Sequence, residues 1–290
     1  MKSKIWVQDA LLPVDVYKDG GVGIRIDSNI KQILNQANSS VGSPMQLNLI
    51  VKAHIKDAEG LLALVYLLDY LEDSQNCRIG LALPFVPNAR QDRLTGDMSE
   101  VKPATLNSVT NILNRYTKVV RIFTTDVHSN ITTALLRKTV NIEQDEVFKR
   151  VQDRFEFETD VIISPDFGAI KKATAVAERI GKPLGIALKE RDPLSNEILE
   201  TKILQADVKG KVVTIVDDML DGGRTFIPLA TRLKELGARW VNLVVTHGIF
   251  SYGARQLQTG DIDNIYVYYS WLSPEAVFSE GGFVKAVEYF

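Results

Sequence analysis

Apolar positions along the chain follow two alternating rhythms. Short β-branched and aliphatic runs at residues 47–51, 78–83, 119–123, 161–163, 184–187, 212–216 and 240–246 predict strands. Longer stretches with apolar residues three and four apart predict helices over 57–72, 103–116, 169–180 and 226–236, the last closed by Gly237. Such alternation predicts an α/β fold of mostly parallel sheets with helices on both faces. The polar stretch 141–158 interrupts the rhythm, which predicts domains over 1–142 and 143–290. Its charges read as the solvated face of a helix.

Composition narrows the class. With 290 residues, 45% apolar and 24% charged, the chain is long enough for one large or two modest globular domains. A net charge of −2 offers no footprint for nucleic acid. Cys77 is the one cysteine, which excludes an intrachain disulfide and a multi-cysteine metal site. The opening Met1-Lys2-Ser3-Lys4-Ile5-Trp6 lacks the apolar core of a signal peptide, and no apolar run is long enough to span a bilayer. The apolar stretch 61–71 contains Tyr66, Asp69 and Tyr70 and reads as a packed helix. No membrane partner and a cytoplasmic location are therefore expected.

Candidate chemistry collects after the strands, where ligands of open α/β sheets bind. The strand at 212–216 runs into Asp217-Asp218, then Asp221-Gly222-Gly223-Arg224-Thr225, then a helix opening. Backbone N–H groups of a tight glycine loop and a helix N-terminus attract phosphate. Two carboxylates beside them suit sugar hydroxyls, or a metal and its waters. Paired aspartates and glycines are also ordinary turn chemistry. The other strand ends decide between these readings, because they carry Arg90-Gln91-Asp92-Arg93, Asp126-Val127-His128, Ser164-Pro165-Asp166 and Lys189-Glu190-Arg191. Charged or imidazole groups after every strand point to one polar ligand site.

Taken together, these segments resemble the ribose-phosphate pyrophosphokinase (PRPP synthetase) family. They occur in family order: Ala89-Arg90-Gln91-Asp92-Arg93, Asp126-Val127-His128, Ser164-Pro165-Asp166 through Lys171, Lys189-Glu190-Arg191, Val216-Asp217-Asp218 through Asp221, and Thr246-His247-Gly248 through Ser251. The resemblance implies an N-terminal ATP-binding domain and a C-terminal ribose-phosphate-binding domain, both of phosphoribosyltransferase type, with the active site between them. It implies Mg²⁺-dependent transfer of the β,γ-diphosphoryl group of ATP to the anomeric hydroxyl of a 5-phosphorylated ribose. By the same resemblance, Arg90, Gln91, Asp92, Arg93 and Asp19 bind ATP, and His128 and Asp166 hold Mg²⁺ directly or through water. Asp217 and Asp218 bind ribose hydroxyls, and the loop Asp221, Gly222, Gly223, Arg224 and Thr225 cradles the 5-phosphate. Lys189 and Arg191 are the catalytic cations, at the base of a mobile segment reaching roughly to Ile203. His247 reads as structural. A homo-oligomer, dimer or hexamer, is implied as well.

The sequence also departs from the family pattern. The phosphate loop of PRPP synthetases usually reads Asp-Thr-Gly-Gly-Thr, so Gly222 removes a hydroxyl and Arg224 adds a cation fork suited to a second phosphate. Phe-Ser-Asp-Gly-Glu, contributed by a neighbouring subunit, is matched loosely by Tyr17-Lys18-Asp19-Gly20-Gly21. The stretch before it is too short for the helix expected there, and the segment after Arg93 lacks most of the regulatory basic residues. Ribose 5-phosphate, giving PRPP and AMP, is the default acceptor. ADP-ribose, giving ADP-ribose pyrophosphate for NAD regeneration as in some phage-type relatives, is the alternative. A catalytically silent regulatory subunit is the reading from another class.

Overall fold

The alternating strands and helices assemble around two main sheets, one in each of two compact units, Lys2–Ile142 and Glu143–Phe290. The computed structural model describes residues 2–39, 47–74, 76–96, 99–191, 198–279 and 281–289.

In the first unit β1 (Lys4–Val7), β2 (Ala10–Leu11), the hairpin β3 (Val14–Val16) and β4 (Val22–Ile24), and α1 (Ser28–Ser39) come first. They are followed by β5 (Leu49–His54), α2 (Ala58–Ser74), β6 (Ile79–Ala82), the ribbon β7 (Thr95–Gly96) and β8 (Val101–Lys102), and α3 (Leu106–Asn114). The unit closes with β9 (Val119–Thr125), α4 (Asn130–Leu135) and β10 (Thr139–Ile142). Its main sheet has the order β10-β9-β6-β5-β1-β2. The four strands from β10 to β5 are parallel, and β1 runs antiparallel to both of its neighbours.

Each step from β5 to β6, β9 and β10 moves the same way along the sheet, so right-handed crossovers place α2, α3 and α4 on one face. The α2 stripe Leu64, Leu67, Leu68 and Leu71 is buried in that core. Each such side chain contributes roughly 1.5–3 kcal/mol. On β5, Val51 and Ala53 are buried while Lys52 is half-exposed, and Val140 on β10 is exposed.

The second unit consists of α5 (Gln144–Phe155), β11 (Val161–Ser164), α6 (Ile170–Ile180), β12 (Leu184–Arg191), β13 (Ile198–Leu204), β14 (Val212–Leu220), α7 (Phe226–Glu235), β15 (Trp240–Gly248), β16 (Asn264–Ser270), α8 (Pro274–Ser279) and β17 (Val284–Tyr289). The sheet order is β13-β12-β11-β14-β15-β16-β17, parallel except for β13, which returns antiparallel to β12. Here the connections diverge: α6 leads from β11 to one side, and α7 leads from β14 to the other. Right-handed crossovers therefore put α6 and α7 on opposite faces.

The charged stretch after Ile142 is indeed a helix with a solvated face. In α5, Val147, Phe148 and Val151 are buried, while Arg150 pairs with Glu146 at 3.1 Å on the outside. Arg179 of α6 reaches Asp145 at 2.8 Å and Glu146 at 2.7 Å, pinning the two helices together. Two strand ends differ from expectation. β14 continues past Val216 to Leu220, because β15 pairs with it as far as Gly248. The segment after Ala187, expected as a mobile loop, has strand backbone through Arg191 and again from Ile198, joined as an antiparallel pair. Among the described residues no helix is long and apolar enough to cross a membrane.

Candidate active site

The second sheet carries a switch point between β11 and β14, where strand order reverses, the place at which open α/β sheets bind ligands beyond the carboxyl ends. Asp166 follows the end of β11, and Asp217 and Asp218 lie in the last part of β14. After β11, the Ser164 hydroxyl donates to the Asp166 carbonyl at 2.8 Å, shaping the turn. Asp166 Oδ1 accepts the Ala169 N–H at 3.1 Å and steadies the opening of α6, leaving the exposed carboxylate fixed in direction. On β14, Asp217 Oδ1 accepts the Asp218 N–H at 2.8 Å. Burial, then the charge of Asp218 and more weakly that of Asp166, hold the Asp217 carboxyl well above the usual carboxylate range. A buried Asp217 with Asp218 and Asp166 close by suits a cation or hydroxyl donors.

Among the described residues no group of three or more His, Cys, Asp or Glu side chains forms a metal cage. An oxygen-rich, loosely spaced set suits Mg²⁺, which keeps several waters and takes few protein ligands.

Beyond Leu220 the chain turns sharply. Gly223 has φ +76°, and a Cβ there would lie 2.3 Å from Leu257 Cδ2, so glycine is required on both counts. The Gly223 carbonyl accepts the N–H groups of Phe226 and Ile227, both at 2.9 Å, which starts α7. Asp221 Oδ1 accepts the Ser251 N–H at 2.8 Å, so this carboxylate braces the loop against the chain leaving β15. The backbone N–H groups of Gly222, Gly223, Arg224 and Thr225 donate to no protein acceptor among the described residues. Four consecutive unused donors beside a helix N-terminus form an anion cradle. Arg224 is exposed at its rim. Tyr252, 76% exposed, lies over Gly222, where an added Cβ would meet its ring at 3.8 Å.

In the first unit the loop after β6 presents Arg90, Gln91 and Arg93 outward, all exposed. Asp92 points the other way. Its side chain is 2% exposed, pairs with Arg93 Nε at 3.0 Å and accepts the Ser129 hydroxyl at 2.6 Å. Burial alone would raise its carboxyl, but the bonds from Arg93 and Ser129, with the charges of Arg93 and His128, bring it below the ordinary range. Asp92, expected at ATP, is thus turned into the protein. The Gln91 carbonyl accepts the Leu106 N–H at 3.1 Å, tying the loop to the start of α3.

After β9, Asp126 adopts φ +47° and is buried, a sparsely populated conformation of the kind that marks functional turns. Asn141 Oδ1 holds this turn by accepting from the Thr124 hydroxyl at 3.0 Å and the Val127 N–H at 3.3 Å. His128 follows, with its side chain exposed. Asp19 is exposed in the β3–β4 turn, where its Oδ1 accepts the Gly21 N–H at 2.9 Å. The side chains of Lys189 and Arg191 lie outside the described set; their backbone is the last part of β12. His247 is buried and stacked on Tyr269 with ring centroids 5.8 Å apart, a packing role.

Sequence reasoning passed over Ser129, Asn141 and Tyr252. Ser129 and Asn141 act by tertiary pairing, which spacing does not reveal; Tyr252 stood just past a recognised segment. Volume is no guide either. A groove of about 1000 Å³ lined by Phe155, Val277, Phe278 and Tyr289 includes none of the expected site residues.

Residues 136–274 match the phosphoribosyl transferase domain family. A ribose-phosphate pyrophosphokinase of Thermosipho africanus is 33% identical over 213 residues, 72% of this chain and 66% of that protein. A ribose-phosphate pyrophosphokinase of Bradyrhizobium diazoefficiens is 31% identical and matched over 60% of its own length, so this chain spans less than two thirds of both these relatives. One from Vibrio cholerae is 30% identical over 256 residues, 88% of this chain and 76% of that protein. The crystal structure of phosphoribosylpyrophosphate synthetase from Mycobacterium smegmatis superposes with a TM-score of 0.71 over 96% of this chain and 85% of that one; at 22% identity this shows the shared fold. Similarity at this level across most of both sequences makes the chain a member of the ribose-phosphate pyrophosphokinase family.

Proposed function

We propose that this protein transfers the β,γ-diphosphoryl group of ATP to the anomeric hydroxyl of a 5-phosphorylated ribose, with ribose 5-phosphate giving PRPP and AMP. The observation that carries this reading is the row of four unused N–H donors from Gly222 to Thr225, beside Asp217 and Asp218 at the switch point. The donors take the 5-phosphate; the carboxylates take the ribose hydroxyls and orient the anomeric oxygen. That oxygen attacks the β-phosphorus, the bond from the β-phosphorus to the oxygen of AMP breaks, and the hydroxyl proton leaves to water or a nearby base. Arg90, Gln91 and Arg93 hold the nucleotide on a loop anchored at both Gln91 and Asp92. Lys189 and Arg191 supply positive charge to the migrating group, since phosphoryl transfer depends chiefly on positioning and electrostatics. Mg²⁺, held by His128 and Asp166 with its waters, would neutralise the polyphosphate. A homo-oligomer would bring Asp19 of one copy to the nucleotide of another.

One observation favours a second acceptor. Gly222 lies within contact distance of the exposed Tyr252 ring without a side chain of its own, and Arg224, two positions on, is exposed. A 5-position carrying a diphosphate and a base, as in ADP-ribose, gives both side chains a partner. The test offers ATP and Mg²⁺ with ribose 5-phosphate or ADP-ribose and identifies products by mass. AMP formed with ribose 5-phosphate supports the default; AMP formed with ADP-ribose alone replaces it. No AMP with either points to the silent regulatory subunit.

A further inference from the structure

We propose that Asp92 and Ser129 form a latch that fixes the nucleotide loop 90–93 against the His128 turn, so that nucleotide and metal are bound as one unit. The inference rests on the functional reading above and gives Asp92 a positioning role in place of a contact with ATP.

The orientation of Asp92 is the first ground. An ATP-contacting carboxylate would face solvent, yet this one is 2% exposed and engaged on both oxygens, by Arg93 Nε at 3.0 Å and by the Ser129 hydroxyl at 2.6 Å. Taking Nε leaves the outer edge of the Arg93 guanidinium directed outward, and its side chain is 67% exposed. One buried anion thus aims a cation fork at the site.

The second ground is what Ser129 gives up. It occupies the N-cap of α4 with extended backbone, φ −147° and ψ 161°, the conformation from which a serine normally caps its helix. Its hydroxyl makes no cap bond and goes to Asp92, thirty-seven positions away in sequence. A serine serving only its helix would bond the helix.

The third ground is the separate anchoring of the two segments. The nucleotide loop is tied to α3 through the Gln91 carbonyl, and the His128 turn is tied to β10 through Asn141. The bond from Ser129 to Asp92 links one to the other, and Ser129 follows His128 directly. Disturbing it should leave each segment folded while loosening the registry between them.

The test uses the full-length protein and its Ser129→Ala and Ser129→Thr variants. Binding of α,β-methylene-ATP is measured by calorimetry with and without Mg²⁺, alongside the thermal midpoint. In Ser129→Ala the gain in nucleotide affinity on adding Mg²⁺ should fall about tenfold, the scale of losing one hydrogen bond to a charged group. Affinity without Mg²⁺ should stay within about twofold, and Ser129→Thr, which keeps the hydroxyl, should restore the gain. An undiminished Mg²⁺ effect in Ser129→Ala overturns the latch, as does an equal loss with and without Mg²⁺ or a loss that Ser129→Thr fails to repair. Absence of nucleotide binding by the unsubstituted protein overturns the functional reading itself, and the latch with it.

Discussion

Replacing Gly223 with alanine perturbs the phosphate loop at its most constrained point. Its φ of +76° places an L-residue in the left-handed region, which costs roughly 1–2 kcal/mol. The new Cβ would also sit 2.3 Å from Leu257 Cδ2, and Leu257 is fully buried, so it has little room to withdraw. Forcing a methyl into such packing costs about 1–3 kcal/mol more. The sum, roughly 2–5 kcal/mol, corresponds to a fall in Tm of about 4–20 °C for a unit of this size. Gly222→Ala is the internal control, because its Cβ would meet only the Tyr252 ring, at ordinary contact distance, and should change stability by less than about 0.5 kcal/mol. Urea unfolding of both variants, followed by circular dichroism, gives the two values. Equal losses in the two variants, or none in Gly223→Ala, would refute the loop geometry on which the phosphate cradle depends. Ligand protection supplies a second check, since excess acceptor should raise the Tm of Gly222→Ala and of the unsubstituted protein alike.

Three further predictions follow from the same structure. His54 is buried against Trp6, and burial together with Lys52, Lys56 and Lys4 lowers its pKa from 6.5 to about 2. Below pH 6.5 the unfolded chain therefore takes up a proton that the native state refuses, and stability falls with pH, by about 2 kcal/mol between pH 6.5 and 5. Denaturant titrations should show His54→Gln losing that much less than the unsubstituted protein over this interval; equal slopes would count against a neutral buried imidazole. Asp217→Asn removes a like-charge contact, so Tm measured without ligand should rise by a few degrees while turnover with saturating acceptor collapses. A fall in Tm together with retained turnover would contradict the crowded carboxylates. Lys189→Ala should lower kcat at least a hundredfold with α,β-methylene-ATP affinity nearly unchanged, and a near-normal kcat would remove Lys189 from the transfer step.

Much of the fold was legible because its central strands are buried on a covered face and read as apolar runs. The strands at 119–123, 161–163 and 212–216 lie within β9, β11 and β14. Edge elements carried weaker signals. β17 is half-exposed along most of its length and alternates Lys285 and Glu288 with apolar residues, while β10 contains Asn141 and an exposed Val140. β16, Asn264-Ile-Tyr-Val-Tyr-Tyr-Ser270, is central and buried, yet its tyrosines and terminal polar residues masked the run. The ends of strands were misjudged for another reason. Carboxylates at Asp217 and Asp218 read as a stop, but backbone pairing with β15 carries the strand past them.

The candidate site divides in the same way. Residues on one loop, such as those from Asp221 to Thr225, could be grouped from sequence because neighbours in the chain remain neighbours in space. The direction in which Asp92 faces could not, since Ser129 meets it only after β6 and β9 are laid side by side. Likewise, no pattern in the sequence sets the exposed ring of Tyr252 above Gly222; that depends on the turn after β15 and on the brace from Asp221 to the Ser251 N–H.

The central claim, transfer of an intact diphosphoryl group, is tested most directly by ³¹P NMR of the protein with ATP, Mg²⁺ and the acceptor. The account predicts AMP and a sugar product bearing a new pair of coupled phosphorus doublets, formed one for one and without ADP. ADP together with a singly phosphorylated anomeric oxygen would contradict it.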